Sequence, residues 1–143
     1  MTEINRSALV PYSAEQMFVL VDDIDSYPKF LPWCKSTTIY NRDEGQVEAS
    51  IEMAKAGINK SFTTRNTLHG SELIEMQLVD GPFKELQGYW RFETLDEKAC
   101  KVSLDIQFEF SNKILSMSVG PVFSQICNTL VNAFVGRARE IYG

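Results

Sequence analysis

The sequence predicts an α+β fold in which a long C-terminal helix packs into a curved antiparallel sheet. Three observations predict it. From Cys34 to Ser111 apolar residues recur at every second position, as on a half-buried strand. After Pro121 they recur at steps of one, three or four, as on one face of a helix. Ahead of the sheet lie one strand and two short helical stretches, and no repeat, linker or low-complexity tract divides the chain. At 143 residues the chain suits one domain spanning residues 1–143.

The first strand is expected at Ile4 to Val10, with Ile4, Ala8 and Val10 on one side; Pro11 and Tyr12 end it. Ser13 and Gln16 have the spacing of a capping box, in which each side chain satisfies a free backbone amide, so a helix is expected from there to about Asp22. Asp25 and Ser26 are candidate caps for a second short helix, which Pro28 permits in its first turn and Pro32 ends. Six strands follow, separated by Asp43-Glu44-Gly45, Gly57, His69-Gly70, Asp80-Gly81-Pro82 and Asp96-Glu97-Lys98. The last is the plainest: Val102, Leu104, Ile106, Phe108 and Phe110 alternate with Lys101, Ser103, Asp105, Gln107 and Glu109. One dry and one wet face indicate an antiparallel meander covered on its dry side.

Asn112 opens a helical stretch that is interrupted at Gly120-Pro121 and runs on to about Tyr142. Val119, Val122, Phe123, Ile126, Leu130, Phe134, Ala138 and Ile141 form its apolar stripe. This helix alone is long enough to cover the sheet, so the sheet has to wrap around it. Gly57, Gly70, Gly81 and Gly88 are candidate turn or kink positions. A sheet curled around one helix leaves a gap, and the short helices near Tyr27 to Trp33 are its expected roof. A small apolar ligand is the expected occupant.

Composition narrows the function. A net charge of −5 argues against general affinity for nucleic acid, DNA in particular, which requires neutralisation of phosphates by Lys and Arg. Met17 to Val21 is the longest uninterrupted apolar run, far short of the roughly 20 residues of a membrane-spanning helix, so no transmembrane segment is expected. Three scattered cysteines, Cys34, Cys100 and Cys127, suit a reduced compartment. The expected location is the cytoplasm or, peripherally, the inner face of the membrane. Nothing calls for a metal, nucleotide or other cofactor. His69 is the single histidine and is read as a solvated turn residue; no nucleophile or phosphate-loop motif is present. No residue is assigned a catalytic role. Glu48, Glu52, Glu75, Asp105 and Glu109 fall mostly on wet faces, with Glu75 the least settled because its strand is apolar on both sides.

Three dense motifs in order carry a resemblance over nearly the whole chain. They are Ser26-Tyr27-Pro28-Lys29-Phe30-Leu31-Pro32-Trp33-Cys34, Lys55 through Asn66 (KAGINKSFTTRN), and Val79-Asp80-Gly81-Pro82-Phe83-Lys84 followed by Leu86, Gly88, Trp90 and Phe92. The chain resembles the family that joins bacterial ribosome association toxins of the RatA type to mitochondrial coenzyme Q-binding START proteins. The resemblance implies a START-like helix-grip fold. It implies binding of ubiquinone or a related polyprenyl lipid in the central cavity. From the bacterial branch, it implies binding to the large ribosomal subunit that hinders subunit association, the translation-inhibiting arm of a toxin–antitoxin system. The competing class is a small enzyme of the polyketide cyclase or aromatase kind, which shares the architecture.

The candidate ligand-binding residues are Tyr27, Phe30, Leu31 and Trp33 in the roof, Phe83, Leu86 and Trp90 along the sheet, and Phe123, Ile126 and Leu130 on the helix. For each, plain core packing is the competing reading. Candidate ribosome contacts are Lys55, Lys60 and Arg65 around Gly57, and Lys113, Arg137 and Arg139 in the C-terminal helical stretch. Attraction of Arg137 and Arg139 to the helix C-terminus is an adequate explanation of them without any ribosome contact.

Overall fold

Seven strands hydrogen-bond into one antiparallel sheet in the order β1-β7-β6-β5-β4-β3-β2 in the computed structural model, which describes residues 1–143. They are β1 (Thr2–Val10), β2 (Cys34–Arg42), β3 (Gln46–Lys55), β4 (Ile58–His69), β5 (Leu73–Asp80), β6 (Phe83–Asp96) and β7 (Ala99–Phe110). The six consecutive strands form the expected meander. β1 and β2, neighbours in sequence, stand at opposite edges, so the segment between them crosses one end of the sheet. That crossing is made by α1 (Ala14–Asp22) and a 3-10 helix (Ile24–Lys29).

The capping box forms as its spacing predicts: Gln16 N donates to Ser13 Oγ at 3.1 Å and Ser13 N to Gln16 Oε1 at 2.9 Å. The second short helix differs from expectation. It starts at Ile24, ahead of Asp25 and Ser26, has no side-chain cap, and carries Pro28 inside. Ser26 Oγ instead donates back to Asp23 Oδ2 at 2.6 Å. A 3-10 helix this short makes few internal bonds, so the amide hydrogen that proline lacks costs it little.

Bending comes from more than glycine. Gly57, Gly70 and Gly81 lie in turns, whereas Gly88 sits in the middle of β6, where a Cβ would come within 2.9 Å of Met76 Cε and 3.1 Å of the Asp105 carbonyl oxygen. Register shifts between Thr63 and Thr64 on β4, and near both ends of β6, add irregularity where a flat ladder could not curve.

α2 (Lys113–Ser118), capped by Asn112, leads into α3 (Gly120–Tyr142), which at about 1.5 Å per residue is about 34 Å long. α3 packs chiefly on β1, β7 and α1. Phe123, Ile126, Cys127, Val131, Phe134 and Ala138 are its buried face. Tyr142 Oη closes the end by donating to the Gln16 carbonyl at 3.0 Å, and Arg6 Nε donates to Asn128 Oδ1 at 2.9 Å from the sheet side.

Candidate functional site

Because α3 lies over β1 and β7, the inward faces of β3, β4 and β5 meet it across a gap. The gap is an apolar cavity of about 70 Å3, and sixteen of its twenty lining residues are hydrophobic. Period-two parity explains who lines it. Ala49 and Ile51 on β3, Phe62, Thr64 and Asn66 on β4, Met76 on β5, Leu86 and Trp90 on β6, and Leu104 and Ile106 on β7 point inward, with Phe123, Ile126, Cys127, Leu130 and Phe134 facing them from α3. Ile24, Tyr27 and Trp33 close the roof.

Of the ten candidates read from the sequence, Tyr27, Trp33, Leu86, Trp90, Phe123, Ile126 and Leu130 are in the wall. The structure places Phe30, Leu31 and Phe83 outside it. Phe83 belongs to a neighbouring aromatic cluster, stacked on Phe110 at 4.8 Å and tilted against Phe123 at 5.0 Å. Leu31 is packed in the core at 1% exposure. Phe30 is edge-on to Phe134 at 5.3 Å, with the Arg137 guanidinium 5.0 Å above its ring. The wall residues that sequence reasoning missed, such as Ala49, Ile51, Phe62, Met76 and Phe134, were signalled by strand parity and by the helix stripe. What was lacking was the knowledge of which stretch α3 leaves uncovered.

The roof is held from several sides. Tyr27 Oη donates to the Val21 carbonyl, and its ring lies edge-on to Phe134 at 5.5 Å. Thr37 Oγ1 donates to the Ile24 carbonyl at 3.2 Å, and Arg42 joins β2 to Asp22 at 3.0 Å. Burial pushes the Tyr27 hydroxyl well above its ordinary range, with the Asp22 carboxylate adding to the shift. Burial likewise raises the thiols, Cys34 to about 11 and Cys127 to about 12, with Cys100 also raised. All three stay protonated near neutrality and are poor nucleophiles.

The carboxylates face outward. Glu48 pairs with Arg65 at 3.1 Å, Glu52 with Lys35 at 3.8 Å, Glu109 with Lys84 at 3.6 Å, and Asp105 with Arg91. Glu75, unsettled by sequence, pairs with His69 Nε2 at 3.5 Å on the outer face. His69 is thus the last residue of β4 rather than a free turn residue.

The basic candidates do not gather into two patches. Lys55 and Lys60 share the inward parity at the tip of the β3–β4 hairpin, beyond the cavity, while Arg65 is on the opposite face and is paired with Glu48. Lys113 begins α2, far along the molecule from Arg139 in the last turn of α3. The Arg137 side chain is only 17% exposed, turned over Phe30 and 3.8 Å from Glu140.

Residues 10–135 match the family described as polyketide cyclase / dehydrase and lipid transport. The ribosome association toxin RatA of Escherichia coli (strain K12) is 49% identical over 99% of this chain and 90% of that one. The chain belongs to this family, in its RatA group. A mitochondrial coenzyme Q-binding protein of Drosophila melanogaster is 28% identical to this RatA-group chain, over 96% of it and 59% of the fly protein. An aromatase/cyclase from Streptomyces sp. R1128 superposes with a TM-score of 0.86 over 99% of the RatA-group chain and 96% of the enzyme. At 17% identity that likeness establishes the shared helix-grip fold alone. No helix of the chain is long and apolar enough to cross a membrane.

Proposed function

We propose that this chain binds a hydrophobic ligand, ubiquinone or a related polyprenyl lipid, in the cavity between α3 and β3–β5, and that it docks on the large ribosomal subunit and hinders subunit association. The observation that carries the first part is the cavity wall: it is apolar, closed by aromatic rings, and contains no carboxylate, histidine, lysine or arginine. A wall of that kind holds a greasy molecule; its two titratable side chains, Tyr27, whose hydroxyl donates to the Val21 carbonyl, and Cys127, kept protonated by burial, are ill suited to the proton transfer that cyclase chemistry needs. The coenzyme Q-binding name of the fly relative supports the quinone reading.

Size adds a condition. Pockets that hold drug-sized ligands run from about 300 to 1,000 Å3. A cavity of about 70 Å3 therefore has to widen to take a substituted quinone ring. The roof is the segment to move. It is a short 3-10 helix with Pro28 inside it and Pro32 just beyond it, joined to α3 by aromatic edges and by Arg137 over Phe30. Titration with a short-tailed ubiquinone tests this reading through Trp33 and Trp90, both in the wall. Saturable quenching is expected; quenching that merely rises linearly, as for free tryptophan, would contradict it.

The ribosomal part rests on the E. coli relative being a ribosome association toxin and on surface charge. Lys55, Lys60, Lys113 and Arg139 all lack a carboxylate in ion-pair range, and of these only Lys55 and Lys60 stand together, at the hairpin tip, so they are the candidates best placed to meet phosphate jointly. In a sucrose gradient excess protein should travel with the large subunit and deplete joined ribosomes. Raised salt should weaken the association as counterions compete for phosphate. Absence of cosedimentation at low salt would remove this part and leave the lipid reading in place.

A further inference from the structure

The cavity wall is apolar except at one place on β4. Of its four non-hydrophobic members, Gly88 has no side chain, and the Gln87 amide donates to Gln107 on the outer face at 2.9 Å. The other two, Thr64 and Asn66, share the inward parity of Phe62, and Thr64 is the one polar residue in the buried set. Valine would fill the Thr64 position with nearly the same shape and no hydroxyl to bury, so packing does not call for threonine here.

Thr64 Oγ1 donates to Asn66 Oδ1 at 3.0 Å. That bond uses the hydroxyl hydrogen and fixes the amide, while Asn66 Nδ2 keeps its two hydrogens with no protein acceptor. Turning the amide over exchanges the roles: Nδ2 then donates to Oγ1, and the hydroxyl hydrogen becomes free. The pair presents a donor to the cavity in both arrangements. Where water is scarce, such a donor attracts an oxygen acceptor more strongly than it would at the surface. No cationic side chain lines the wall, so an ionised head would be buried without a counter-charge.

We infer that Thr64 and Asn66 are the polar recognition point of the cavity. They take a carbonyl or hydroxyl oxygen of a neutral, otherwise apolar ligand, and they discriminate against pure hydrocarbons and against ionised lipids. This rests on the reading of the cavity as a lipid site and names the chemistry that site selects.

Three probes with the same six-carbon tail test it on the full chain: a fully substituted hexylbenzoquinone, hexylbenzene and 4-hexylbenzoate. The wild type should bind the quinone about tenfold more tightly than hexylbenzene, the order of effect for one hydrogen bond made in an apolar site, and 4-hexylbenzoate most weakly. In nitrogen-15 NMR the Asn66 side-chain amide signals should shift with the quinone and stay in place with hexylbenzene. Asn66→Leu, with its thermal midpoint checked, should lose the tenfold against the quinone and keep its affinity for hexylbenzene. Thr64→Val should lose part of it. If Asn66→Leu does not fold, the wild-type ratio and the Asn66 signals decide the matter alone. Equal wild-type affinity for quinone and hexylbenzene, or an unmoved Asn66 signal at saturation, overturns this inference while the lipid reading stands. Failure to bind any of the three overturns both.

Discussion

Along β7 the inward residues Val102, Phe108 and Phe110, which lie outside the cavity wall, are at most 7% exposed, whereas Ile51, Phe62 and Met76, cavity-lining residues of β3, β4 and β5, are only half-buried. Both sets follow the same period-two pattern. They differ in what lies opposite: α3 rests on β1 and β7, and across from β3 to β5 there is cavity. Alternation tells which face of a strand is dry. Whether side chains or empty space fill the region against that face depends on where the covering helix comes to rest.

The largest effect that would sharpen this comparison is expected on the filled side. Phe108 packs on Phe83, Phe110 and Phe123, with the Phe123 ring at 4.8 Å. Phe108→Ala should therefore cost about 3–5 kcal/mol in urea unfolding. Ile51→Ala, on the cavity side, already lacks part of its packing and should cost about 1 kcal/mol. Equal losses would erase the distinction between the halves.

Added bulk gives the opposite, smaller contrast. Leu130 lines the cavity and Val131, next to it on α3, is 3% exposed in the filled core. Leu130→Trp should be absorbed at less than about 1 kcal/mol, while Val131→Trp should lose about 1–3 kcal/mol or more. Denaturation midpoints measured side by side check this, and a reversed order would break the comparison.

Smaller again is the alkaline response of the buried thiols. Cys127 ionises near 9.0 when free and near 12 in the fold, because burial disfavours the thiolate. Its contribution to stability is complete below about pH 9 and is lost as pH rises towards 12, since the unfolded chain releases the proton first. Cys127→Val should flatten the fall in stability over that window. A wild-type profile that stays level from pH 9 to 11 would contradict the burial described.

Much of the fold was legible in the sequence because its signals are local. The capping box, the six alternating stretches and the interruption of the C-terminal helix, read at Gly120-Pro121 and found one residue earlier at Val119, each depend on neighbours a few residues apart. The long helix facing a wrapped sheet followed from length alone. The candidate site was legible only in outline. Phe83 and Trp90 lie on the same strand and both point inward, yet one enters the aromatic cluster and the other the cavity wall, a choice made by the placement of Phe123 and Phe134 on α3. Lys60 and Arg65 look like one basic run, yet five residues of strand put them on opposite faces. Thr64 and Asn66 read as ordinary polar strand residues until the cavity around them is seen.

Extraction of the protein purified from cells, followed by mass spectrometry of what it carries, tests the central claim most directly, with the Leu130→Trp variant handled in parallel. The account predicts an isoprenoid quinone or similar apolar lipid in the wild-type extract and its loss from a folded Leu130→Trp variant. A wild-type extract free of apolar molecules, or equal lipid in both proteins, would contradict it.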